Sequence, residues 1–237
     1  MNDKENSEGL DIVGFGKIAK AIPEQVYDLS TKTLLSTFEK LTAPITEATA
    51  GFGRYLRQKF DNMVEAEKAI ATYTVEKALV RARSKAKKTG RLVRPPLHPK
   101  SFVKAVEESS KETDPLLHEM WTNLLASQLI DDQSHPHFVE ILPHFSPAEA
   151  HILVSLLPRS DIGKNEGGYI FFTYDSFEYW IRKNGDSELN KWTMSCVLLC
   201  EFHFADIVAP ESKKYDKKVT ILYRTFSGQA FLDAVTP

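Results

Sequence analysis

The chain has 237 residues, enough for one large domain or two modest ones, each with its own core. A hydrophobic content of 42% and a charged content of 26% are ordinary for a soluble globular protein, and a net charge of -2 excludes a generally basic nucleic-acid binder, leaving such a role to a local patch. The only cysteines, Cys196 and Cys200, lie four apart in an apolar run, which fits core thiols on one helix face; no disulfide framework is expected, and a reducing cytoplasmic setting is.

Residues 1–22 read as a flexible N-terminal segment. Met1 to Gly9 is acidic and polar, the reverse of a signal peptide's basic start, and no apolar run approaches the roughly 18 residues of a spanning helix. Within residues 10–22, Ile12, Val13, Phe15, Ile18 and Ile22 accompany Lys17 and Lys20, so the segment either docks on the protein's own core or lies on a membrane surface. Gly14 and Gly16 weaken it as a helix.

Residues 23–93 are expected to form a long helical hairpin. Pro23 suits a first helical turn, and Val26, Leu29, Thr33, Leu34, Phe38 and Leu41 follow at helical spacing until Pro44 ends or interrupts them. A second helix from about Thr46 to Thr89 carries Phe52, Leu56, Met63, Ala66, Ile70, Tyr73 and Val80 on a heptad grid, broken by Lys59 and Lys77. It serves as a hairpin arm or, alternatively, as the seam of a homo-oligomer. Lys87 and Lys88 suit the negative end of its macrodipole, and Gly90 is a natural cap.

The same helix end holds the main candidate binding residues. From Arg81 to Arg94 there are seven basic residues, Arg81, Arg83, Lys85, Lys87, Lys88, Arg91 and Arg94, with no acidic residue among them. They form either a solvated helix end or an anion-binding surface for nucleic acid, phosphate headgroups or an acidic partner. No aromatic residue interleaves them to stack on single-stranded bases.

Residues 94–145 read as a helical core that begins with an extended Pro95-Pro96 linker. Short helices are predicted at about 99–110 and 114–130, the second with a buried stripe of Leu117, Met120, Trp121, Leu124, Leu125 and Leu129. Another opens at Pro136 and ends at Pro143.

Residues 146–237 change texture. Ser146-Pro147-Ala148-Glu149 is a capping-box start for a helix to about Leu157. A short strand is predicted at Tyr169 to Thr173, a helix from Asp175 or Ser176 to Asn184, and a longer apolar helix from about Glu188 to Phe204. Strands Ile207 to Ala209 and Val219 to Phe226 follow, joined by a loop carrying Lys213, Lys214, Lys217 and Lys218, and a last helix spans Gly228 to Ala234. Three helices and then a β-hairpin is the order of a winged helix-turn-helix, so the fold is expected to be mainly α with a winged-helix-like C-terminal domain.

Four blocks carry a family resemblance: Pro95-Pro96, the run from Glu119 to Ser127, the run from His135 to Leu142, and the run from Phe145 to Leu153. In this order they resemble successive blocks of the abortive infection alpha (Abi-alpha) family. The resemblance implies a bacterial or prophage protein in phage-defence settings and supplies no catalytic residues to carry over.

No catalytic residue, metal or cofactor is expected. Asp131, Asp132, His135, His137, His144 and His151 form the densest polar constellation, but no His-x3-His or Glu-x-x-His pair aligns ligands on one helix. There is no G-x-S-x-G elbow, no P-loop and no G-x-G-x-x-G. A DNA-reading helix should present Arg, Lys, Asn or Gln, and the 188–204 helix offers only Asn190 and Lys191 before turning apolar. The four wing lysines are better placed for phosphate contacts. The expected function is antiphage defence through contacts with a phage or host protein. The alternatives are a nucleic-acid-binding regulator using the basic cluster and wing, and a membrane-directed effector using residues 10–22.

Overall fold

The computed structural model describes residues 31–46, 50–130, 134–161, 171–173, 186–208 and 219–237. Among these the protein is mainly helical with one small antiparallel sheet, and the chain divides into two compact units, Met1–Gln133 and Ser134–Pro237. The segment 10–22 and the wing lysines lie outside the described residues.

In the first unit, α1 spans Thr31–Thr46 and buries Leu34, Phe38 and Ile45. Pro44 sits inside its last turn rather than ending it. The single long helix expected from Thr46 to Thr89 is instead two, α2 (Ala50–Asp61) and α3 (Glu65–Thr89). Between them Asn62 N–H donates to Gln58 O at 3.2 Å, Met63 N–H donates to Phe60 O at 3.1 Å, and Val64 is extended. The break has a packing reason. It lets Phe60 stack on Phe38 at 4.0 Å and places Met63 in the core, whereas a straight helix would carry one end past the core it must bury.

α3 packs against both α1 and the helix Pro115–Gln128, and its inner face is rich in alanine: Ala71, Ala78, Ala82 and Ala86 are all buried. It ends at Gly90, whose φ of 69° is a left-handed cap, with Arg91 N–H donating to Ala86 O at 3.0 Å. The Pro95-Pro96 segment, expected to link domains, runs inside this unit, where Arg94 N–H donates to Leu129 O at 2.9 Å. α4 (Pro99–Ser109) and α5 (Pro115–Gln128) follow. Asp114 caps α5 by accepting from the N–H groups of Leu116 at 2.9 Å and Leu117 at 3.1 Å. From Leu117 to Ile130 every residue is buried except Glu119, and Trp121 is 1% exposed.

The second unit holds α6 (His137–Ile141), a 3-10 turn at Leu142–His144, and α7 (Pro147–Ser155). The capping box at Ser146 is formed: Ser146 Oγ accepts from Ala148 N–H at 3.2 Å, and Ser146 N–H donates to Glu149 Oε2 at 2.5 Å. Then come β1 (Phe171–Thr173), α8 (Asp186–Glu201), β2 (Ala205–Val208), β3 (Val219–Arg224) and α9 (Phe226–Val235). β3 is the central strand, pairing Phe171↔Ile221 on one side and Ile207↔Leu222 on the other. The strand predicted from Ile207 thus begins two residues earlier. α9 is capped by Thr225, with Gly228 N–H donating to Thr225 Oγ1 at 3.0 Å.

A phenylalanine cluster fills this core. Phe204 stacks on Phe231 at 4.5 Å, and Phe138 and Phe145 approach Phe231 at 5.2 and 5.3 Å. α8 ends in a Schellman turn: Phe204 N–H donates to Leu199 O and His203 N–H to Cys200 O, both at 2.9 Å, with His203 left-handed at φ 59°. A Cβ at Gly228 would lie 2.0 Å from Phe204 O, so this position accepts no side chain.

Candidate anion-binding surface

The seven basic residues do not share one role. Arg81 turns inward and pairs with Glu119 on α5, while its other arm donates to Asn123 Oδ1 at 2.7 Å. Lys77, one turn earlier, pairs with the same Glu119, and Lys85, one turn later, donates to Ser127 Oγ at 3.4 Å. Lys77, Arg81 and Lys85 are spaced i, i+4, i+8, as are Glu119, Asn123 and Ser127, so two helices meet rung by rung along a half-buried polar seam. Burial alone would raise the Glu119 carboxyl, but the bonds from Lys77 and Arg81 outweigh it and hold the group below its ordinary value.

Behind the seam lies His118, which is 1% exposed. Thr74 Oγ1 gives its one proton to Ile70 O at 2.7 Å, so the 2.8 Å contact with His118 requires the imidazole Nε2–H to donate to Thr74. Burial, reinforced by the nearby Lys77 charge, lowers the pKa of this imidazole to about 4, and it is neutral at physiological pH.

The remaining basic residues face outward. Arg83, Lys87 and Lys88 are exposed at the end of α3, where cations suit the helix dipole. Arg91 and Arg94 are exposed on the segment that follows, and both hold further contacts. With them stand two apolar side chains that sequence reasoning did not single out, Leu92 at 81% and Leu97 at 64% exposure. Nothing in the hydrophobic pattern separates these leucines from buried ones; only the direction of the chain after Gly90 does.

The other candidate chemistry is dispersed. His137 N–H donates to His135 Nδ1 at 3.2 Å and the rings stand edge to face at 6.2 Å, so the two imidazoles do not aim at a common point. Asp131 and Asp132 lie outside the described residues, as do the side chains of Asn190 and Lys191 on α8. Among the described residues no group of three His, Cys, Asp or Glu side chains could hold a metal ion. Burial pushes the Cys196 thiol up to about 12, which makes it unreactive. No helix among the described residues is long and apolar enough to cross a membrane.

These features define a mainly helical protein with a small antiparallel sheet and a cationic helix end. The chain belongs to the abortive infection alpha family, whose model matches residues 67–230. No curated protein and no solved structure matches it.

Proposed function

We propose that this protein acts in antiphage defence by binding or sensing a phage-derived or host component through protein contacts, without a catalytic residue of its own. The family match over residues 67–230 carries the reading, since it takes in about half of the first compact unit and nearly all of the second. The internal use of Arg81, Glu119 and His118 supports it, because groups that would be offered to catalysis are committed to packing. The test is phage challenge of bacteria expressing the chain, followed by selection of phages that escape. Reduced plating with escape mutations concentrated in one phage gene, whose product binds the purified protein, is the expected result. Unchanged plating across a broad phage panel would overturn the reading.

A winged-helix-like arrangement of the second unit is part of this proposal. The order α7, β1, α8, β2, β3 with β3 between its neighbours supports it. A nucleic-acid role for the exposed Arg83, Lys87 and Lys88 is the second reading, and salt-dependent binding of a DNA duplex is its test.

A further inference from the structure

We infer that the outward face at the end of α3, together with the anchored segment after Gly90, is a docking surface for an anionic phospholipid bilayer. This goes beyond the defence reading and does not depend on it. Between Glu76 and Glu107 the sequence holds no carboxylate, so the cationic field of this stretch has no local counter-charge along the chain. Arg83, Lys87, Lys88 and Lys100 are all exposed, and none forms an ion pair with another described residue. On α3, Val80, Arg83, Ser84 and Lys87 share one exposed face at i, i+3, i+4, i+7 spacing, with Val80 59% exposed.

The apolar residues decide which polyanion fits. Isolated exposed leucines are commonplace, but here Val80, Leu92 and Leu97 all project from one cation-only stretch. The segment is not loose: Gly90 turns it, Arg94 N–H fixes it to Leu129 O, and Pro96 is buried while Leu92 and Leu97 point out. Single-stranded nucleic acid is held by aromatic stacking, and no Phe, Tyr or Trp lies between Tyr73 and Phe102. Duplex phosphates would engage the cations and leave the aliphatic side chains in water. A bilayer of acidic lipids satisfies both, with phosphate headgroups against the cations and the leucines entering the acyl boundary.

The experiment is co-sedimentation of the full chain with vesicles of phosphatidylglycerol mixed with phosphatidylcholine, against vesicles of phosphatidylcholine alone. Binding is expected only to the anionic vesicles. The triple variant Arg83→Glu, Lys87→Glu, Lys88→Glu should weaken it at least roughly a hundredfold, and Leu92→Ser with Leu97→Ser about tenfold or more. A neutral triple variant with Gln at the same three positions gives the charge result if the Glu variant fails to fold. No binding to anionic vesicles overturns the inference, as does charge-dependent binding that the serine variant leaves unchanged. Binding of a DNA duplex without partition onto vesicles also overturns it, in favour of a nucleic-acid surface. A protein that fails this test and still protects cells leaves the defence reading intact.

Discussion

Arg81 on α3 and Glu119 on α5 bind each other side chain to side chain, and Lys77 shares the same carboxylate. A basic residue read from sequence as part of a binding patch therefore fastens two helices. Glu119→Ala leaves two cations facing each other in a half-buried seam and should cost about 1–2 kcal/mol, with Arg81→Ala costing a similar amount. The double variant should lose less than the sum, with a coupling of about 1 kcal/mol by urea denaturation. Strict additivity would show that the pair contributes nothing.

His118 gives the first unit an acid sensitivity. Its folded-state pKa lies near 4 against an ordinary 6.5, so the folded protein keeps the imidazole neutral while the unfolded chain takes up a proton. Its contribution is complete above pH 6.5 and is lost as the pH falls toward 4, on the order of 3 kcal/mol in total. His118→Gln should flatten that part of the stability profile between pH 7.5 and pH 4.5. An unchanged slope would place the titrating group elsewhere.

Trp121 is fully buried on α5. Trp121→Ala should cost roughly 3–5 kcal/mol, read by thermal or chemical denaturation. A change near zero would mean that this side chain is not part of a packed core.

The two left-handed helix ends make opposite predictions. Gly90→Ala meets no atom within 4 Å, so its cost is conformational, about 1 kcal/mol. His203→Gly relieves a side chain held at φ 59° and should stabilise by up to about 1 kcal/mol. Denaturation midpoints moving in the same direction would contradict the cap assignment.

Much of the helical pattern was legible in the sequence because its signals are local. Ser146 with Glu149, and Gly90, act within one turn, and each sits where the residues predict; the Asp114 cap before Pro115 is equally local. The break at residues 62–64 was not legible, since it answers to the distant contact between Phe38 and Phe60. The candidate surface was half legible. Charge identity announces itself, but the inward turn of Arg81 depends on Glu119, thirty-eight positions away. The matched i, i+4, i+8 spacing of the two helices was the available signal.

The burial of α5 also bears on how the protein is made. As the chain leaves the ribosome, α1 to α4 emerge first and α3 can pack on α1 and α4, but Glu119, the carboxylate that Lys77 and Arg81 share, and the buried face of α5 are missing until residues 115–128 are free. The core of the first unit is then completed only when α5 docks. Synthesis stalled before Gln128 would strand an open intermediate, exposed to proteases and to its own neighbours on the polysome.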